Sequence, residues 1–209
     1  MTSLVEEDEI AIYLGQKGYT IKKEFISIQE QNLIKKELTM KPYVPKNSLA
    51  KPKSFPVYRE SNKKLYLPKF YGVKHYGDPE ISKIGSGKEI DIEFKGELRD
   101  YQLPVIDAYM KAAEKTGGGL LELHTGAGKT VCGLRIISKI KRKTLIIVHK
   151  EFLLRQWMER IEQFLPTAKV GRIQGSIIDI EGKDIVIGML QSLSMKKYDI
   201  KLFSDFGLT

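Results

Sequence analysis

The sequence predicts an α/β protein: a parallel sheet covered by helices on both faces, preceded by a small α+β module. Three observations predict it. From about residue 97 onward, short apolar runs alternate with amphipathic helical patterns, as in a sheet buried on both sides. One strand-to-helix junction, Leu120–Thr130, carries glycines where the backbone must turn sharply. Residues 1–96 instead mix short patterns with proline, lysine and aromatic residues.

A chain of 209 residues accommodates one large domain or a domain and a half. Its 42% hydrophobic and 29% charged residues are those of an ordinary folded protein, and the net charge of +9 favours a polyanionic partner. Cys132 is the single cysteine, so an internal disulfide is excluded, and no Cys/His cluster has zinc-ligand spacing. Glu6-Glu7-Asp8-Glu9 stands where a secretory leader would be basic and then apolar, and no apolar run reaches about 18 residues. A soluble intracellular protein without a membrane partner is expected.

The first module, residues 1–96, is expected to open with a short amphipathic helix at Glu7–Leu14. A break at Gly18-Tyr19, a strand at Thr20–Ile26 and a helix or strand over Gln29–Thr39 follow. Between Lys41 and Tyr76 nine basic residues face only Glu60, a net of 9 − 1 = +8, and seven aromatic residues from Tyr43 to Tyr76 share the stretch. Prolines 42, 45, 52, 56 and 68 preclude long helices there. Phe55–Arg59 and Lys64–Leu67 alternate round Glu60–Lys63 as a β-hairpin would. The lysines could grip nucleic-acid phosphates, or they could be the solvated face of a small domain whose core is aromatic. Ile84–Lys88 is a glycine-punctuated turn before an expected strand at Glu89–Phe94.

The second module, residues 97–209, is expected as helix Arg99–Lys115, strand Gly119–His124, helix Gly128–Ile140 and strand Thr144–His149. Helix Glu151–Phe164, strands Lys169–Ile173 and Asp184–Met189, and a short helix at Leu190–Met195 complete it.

The segment His124-Thr125-Gly126-Ala127-Gly128-Lys129-Thr130 is the firmest functional signal. Gly126 and Gly128 let backbone N–H groups close round an anion at the start of the following helix. Lys129 supplies a point charge for β- and γ-phosphates, and the Thr130 hydroxyl can reach a nucleotide-bound magnesium ion. Leu123 occupies the first glycine position of the generic phosphate-loop pattern.

Thr125–Thr130 resembles motif I of superfamily 2 helicases, in which that first position often is not glycine. Upstream, Leu98-Arg99-Asp100-Tyr101-Gln102 resembles the family's Leu-Arg-x-Tyr-Gln element, which implies adenine recognition by Gln102 with Arg99 nearby. Downstream, Leu145–Trp157 resembles motif Ia, and Gly171–Gly175 and Ile185–Leu193 resemble later family blocks. The resemblance covers residue 97 to the end and points to the XPB-like branch and related helicases of large DNA viruses. It implies an incomplete RecA-like domain, the N-terminal part of a helicase, using ATP and Mg2+. Nucleic acid, DNA or RNA, would lie on His149, Lys150, Gln191 and Ser192, with Trp157 packing a helix on the sheet. The remainder of a helicase chain and transcription or repair machinery are further implied partners.

In this family the next element is a strand ending in Asp-Glu-x-His, which holds magnesium. Asp184 sits at the wrong end of its strand to replace it, and Asp205 precedes the apolar run it would need to follow. The 209-residue chain is therefore expected to bind nucleotide without appreciable ATPase activity. A P-loop kinase or GTPase is a rival reading, but no Asn-Lys-x-Asp guanine reader is present. A nucleic-acid-binding adaptor with a degenerate phosphate loop is another.

Overall fold

The computed structural model of the protein describes residues 10–45 and 52–209. Two compact units divide the chain, Met1–Ile84 and Gly85–Thr209. The division precedes the expected boundary near residue 96, because Ile90 and Ile92 are buried in the core of the second unit. Among the described residues no helix is long and apolar enough to cross a membrane.

The first unit consists of β1 (Ile12–Gly15), β2 (Gly18–Lys22), α1 (Ile28–Glu37), β3 (Thr39–Met40), β4 (Phe55–Pro56), β5 (Arg59–Glu60), β6 (Lys64–Leu67), α2 (Lys69–Tyr76) and β7 (Ile81–Ser82). Five strands form one sheet in the order β5-β6-β2-β1-β7, and β3 pairs with β4 separately. The helix expected at Glu7–Leu14 is replaced from Ile12 by β1, while Glu7–Glu9 lie outside the described residues. Ile12, Tyr13 and Leu14 pair with Ile21, Thr20 and Tyr19 across a turn in which Gly18 adopts φ +105°, so cross-strand pairing outweighs a weak local helix. The strand expected at Thr20–Ile26 stops at Lys22, where a 3-10 turn, Lys23–Phe25, leads to α1, capped by the Ser27 hydroxyl. The hairpin is present in shortened form as β5 and β6. Leu14, Tyr19, Ile21, Ile34, Leu38, Leu65 and Leu67 form the core. Helix α2 sits directly on the Tyr19 ring, since a Cβ on Gly72 would come within 2.1 Å of it.

The second unit contains α3 (Gln102–Thr116), α4 (Lys129–Ile140), β8 (Thr144–Val148), α5 (Glu151–Phe164), β9 (Val170–Gln174), β10 (Ile177–Ile178), β11 (Ile185–Met189) and α6 (Leu190–Met195). Its sheet has the order β10-β9-β11-β8, with β9, β11 and β8 parallel and β10 antiparallel at the edge. Strand alternation sends Ile146, Val148, Ile185 and Ile187 to a core shared with α4 and α5 through Leu134, Ile137, Leu154 and Ile161. Leu145, Val186 and Ile173 face the other side, against Leu193 of α6 and Tyr198, Leu202, Phe203 and Phe206 beyond it. Both faces are covered, which is why β8 and β11 read as unbroken apolar runs.

Two expected strands do not join this sheet. Glu89–Phe94 is extended, with Ile90 and Ile92 buried in alternation, but it makes a single bridge, Glu89 to Arg142. Gly119–His124 has no strand partner among the described residues. Its Leu121 and Leu123 pack on Ile106, Cys132 and Ile136 of α3 and α4. A cavity of about 260 Å³, lined in part by Leu121, Gly133, Ile146, Trp157 and Leu208, lies between this segment and β8. The side-chain half of the strand signal is satisfied there without the backbone half.

Candidate functional site

The loop at residues 124–128 enters α4 through two glycines in left-handed conformation, Gly126 at φ +84° and Gly128 at φ +81°. Nothing lies within 4 Å of where a Gly126 Cβ would stand, so its outer side is open for a ligand to approach the backbone. Gly128 is the N-cap of α4, and the positive end of the helix dipole therefore faces the loop. The Lys129 ammonium folds back and donates to the carbonyls of His124, at 2.9 Å, and Leu123. Lys129 is exposed and Thr130 half-buried in the first turn of α4.

Beneath the loop, Ala127 is fully buried. Its carbonyl accepts from the Gln102 amide nitrogen at 2.9 Å and from the Tyr101 hydroxyl at 3.3 Å. The Gln102 carbonyl oxygen accepts from the Arg99 backbone N–H at 2.9 Å, and the Arg99 guanidinium donates to the Tyr101 hydroxyl at 2.8 Å. Arg99 and Gln102 are thus brought to the loop formed by His124, Thr125, Gly126, Ala127 and Gly128. Gln102, only 3% exposed, is first of all a buttress of that loop. The sequence reading named Arg99 and Gln102 but not Tyr101, although Tyr101 stands inside the same Leu-Arg-x-Tyr-Gln element.

Three residues, 141–143, connect the end of α4 to the start of β8, so the two run in opposite directions while sharing a core. The glycine loop consequently lies toward the carboxyl end of β8, the edge at which open α/β sheets bind ligands. His149 and Lys150 follow β8 at that edge, and Gln191 and Ser192 follow β11 beside it. The Gln191 amide donates to the His149 carbonyl at 2.9 Å. The Ser192 hydroxyl accepts from the Gly175 N–H at 2.9 Å, and Lys196 donates to the Gly175 carbonyl. Residues 191–196, α6 and its C-cap, thereby stitch the ends of all three parallel strands into one platform. Lys196 was not anticipated from sequence, because its partner is a backbone carbonyl 21 residues away. Trp157 packs against the sheet core, close to Gly133.

Asp184 sits at the amino end of β11, accepting from the Lys169 N–H at 2.8 Å. The described residues contain no group of three or more His, Cys, Asp or Glu side chains able to hold a metal ion. Cys132, buried in α4, has its thiol pushed above the usual range by burial, so it is a packing residue.

A glycine loop that caps a helix at the carboxyl edge of a parallel sheet, buttressed from an upstream helix, places the chain in the class of α/β domains with helices on both faces of a parallel sheet. The family described as "Type III restriction enzyme, res subunit" matches residues 95–206, and the chain belongs to this superfamily 2 helicase family. A protein of Acanthamoeba polyphaga mimivirus named as an ATP-dependent RNA helicase is 36% identical over 198 residues, covering 91% of this chain and 38% of its own. A protein of invertebrate iridescent virus 3 named as a helicase is 33% identical, over 68% of this chain and 46% of its own. A DNA 3'-5' translocase of the XPB type from Sulfurisphaera tokodaii is 47% identical over 110 residues, 46% of this chain and 24% of its own. The chain spans less than half the length of each of these relatives.

Proposed function

We propose that the chain binds ATP through residues 124–130 and nucleic acid through the strand-end platform, as the N-terminal portion of an ATP-dependent helicase or translocase. The observation that carries this reading is the ammonium of Lys129 folded onto the carbonyls of Leu123 and His124 at the capped start of α4. A nucleotide would replace those two carbonyls with its β- and γ-phosphate oxygens, at little cost in charge solvation. Backbone N–H groups from Thr125 to Lys129 would cradle the phosphates. Magnesium, held by the Thr130 hydroxyl and the phosphates, would neutralise charge on the transferred group. Gln102 retains a second N–H and a second oxygen lone pair for an adenine edge, with Arg99 beside it. His149 and Lys150 would contact nucleic-acid phosphates, while Gln191 and Ser192 fix the geometry of those loops.

Titration of the purified chain with a fluorescent ATP analogue, with and without Mg2+, tests the reading. Lys129→Ala should weaken binding at least tenfold, and Thr130→Ala should remove most of the magnesium dependence. Equal affinity of parent and Lys129→Ala would refute it. ATP turnover by this polypeptide should stay at background, because Asp184 faces away from the loop's end of the sheet and its carboxylate is engaged by Lys169. Robust nucleic-acid-stimulated hydrolysis would overturn that second point.

A further inference from the structure

We propose that the first unit holds one nucleotide of a single-stranded nucleic acid in a pocket lined by Lys17, Arg59 and Tyr66. The pocket has a volume of about 550 Å³, a size typical of sites that take small organic ligands. Three chain segments build it: the β1–β2 turn with Lys17, residues 56–59 leading into β5, and the β6–α2 junction at residues 67–69. Strand pairing explains why they meet. Tyr19 opposite Leu67 brings the β1–β2 turn to the end of β6, and Arg59 stands opposite Tyr66 itself. Directly opposed residues share a face of the sheet, so Arg59 lies beside the Tyr66 ring, over which the Lys17 ammonium sits 5.0 Å from the centroid. Lys17 lies outside the lysine-rich stretch that the sequence singled out, so only the fold assembles the site.

Two features point to an anion that carries an apolar or planar body. Among the described residues no aspartate or glutamate lines the pocket, while Lys17, Arg59 and Lys69 do. Glu60, next to Arg59, belongs to the other face of the sheet, opposite Leu65, and is paired there to Lys23 and Lys35 at 2.8 and 2.7 Å. It therefore does not neutralise Arg59, whose guanidinium can donate to two phosphate oxygens in parallel. The second feature is the wall. Leu65 and Leu67 turn into the core and Tyr66 away from it, and Val57, Tyr58 and Pro68 extend the apolar lining. A phosphate held by Arg59 and Lys17 leaves its sugar and base against that lining. Bases of a duplex are stacked inside the helix and cannot enter, so the site selects single strands, without hydrogen-bond readout of sequence.

The inference rests on the reading that the protein acts on nucleic acid, but through residues of the first unit alone. The test is fluorescence anisotropy of the full chain with a labelled oligothymidylate and with a labelled duplex of the same length. Lys17 and Arg59 are both exposed, so Lys17→Gln with Arg59→Gln should leave the melting temperature unchanged. Affinity for the single strand should fall about tenfold at low salt, as for the loss of charge-assisted bonds to one phosphate, with duplex affinity unchanged. Arg59→Lys alone should lose less, because an ammonium keeps the charge without the paired donors. Equal affinity of the glutamine variant and the parent for the oligothymidylate overturns the inference, and so does an equal loss on the duplex. Displacement of the oligothymidylate by thymidine monophosphate at the same nucleotide concentration would assign the pocket to a free nucleotide and overturn it as well. A His149→Ala, Lys150→Ala variant separates this pocket from the platform. Weaker binding there, with the glutamine variant unaffected, removes the pocket and keeps the platform; the reverse removes the platform and keeps the pocket.

Discussion

The Gln102 amide nitrogen donates to the Ala127 carbonyl at 2.9 Å from a position that a Cβ on Gly128 would approach to within 2.5 Å. The buttress and the glycine are therefore one device, since the amide can reach the loop only where no side chain intervenes. Gly128→Ala should weaken nucleotide binding about tenfold or more. It meets Gln102, and a left-handed backbone costs a non-glycine residue about 1–2 kcal/mol. Removing the amide as well, in Gly128→Ala with Gln102→Ala, should recover only the steric part. Wild-type affinity in the single variant would show that the loop repacks freely.

Gln102→Ala should destabilise the second unit by about 1–3 kcal/mol, because it takes a partner from the buried Ala127 carbonyl and another from the Arg99 N–H. Gln102→Glu should cost more, since a carboxylate oxygen then faces a carbonyl oxygen. Denaturant melts would show this as a lower midpoint at constant slope. A midpoint equal to the parent's would contradict it.

Lys141 caps the C-terminus of α4 at φ +52°, the one non-glycine residue with positive φ among those described. Glycine is the usual residue for that position, so Lys141→Gly should stabilise the second unit by about 0.5–1 kcal/mol, even with the ion pair to Asp91 lost. That pair is well exposed, which is why its loss weighs little. A lower melting temperature would be the contrary result.

Tyr71 donates to Glu37 at 2.5 Å, and burial together with that hydrogen bond pushes its hydroxyl up to about 12. A phenol whose pKa is raised on folding holds its proton more tightly in the native state. Its contribution is therefore complete below about pH 10, the unfolded value, and is lost as pH rises through about 12. Tyr76 is raised as well, by burial and its bond to Glu30. The first unit should lose stability between these two pH values, and Tyr71→Phe should flatten that loss while lowering stability at neutral pH. Stability that stays constant through this window would argue against the Tyr71–Glu37 bond.

Where one periodicity had no competitor, the sequence was sufficient. Helices α4, α5 and α6 and strands β8, β9 and β11 lie within a residue or two of their expected limits, because an amphipathic stripe or a doubly buried run admits one solution. Ile12–Leu14 was misread as helix because three apolar residues in a row fit either period, and Tyr19–Ile21, which decides the matter, lies beyond a turn. Gly119–His124 shows the opposite failure: its leucines are placed as a strand's would be, while strand assignment also requires a neighbour's backbone. The glycine loop at residues 124–128 and the Arg99–Gln102 element that meets it could be located directly, since each is local in sequence.

The stitches that Gln191, Ser192 and Lys196 make at the sheet edge end on main-chain atoms, the carbonyls of His149 and Gly175 and the Gly175 N–H. Main-chain atoms are the same whatever residue supplies them. Replacing His149 therefore leaves its carbonyl available to Gln191, and Lys150 takes no part in the stitching. The loops can change the side chains they present while keeping their spacing. An edge built this way separates the choice of exposed side chains from the maintenance of shape.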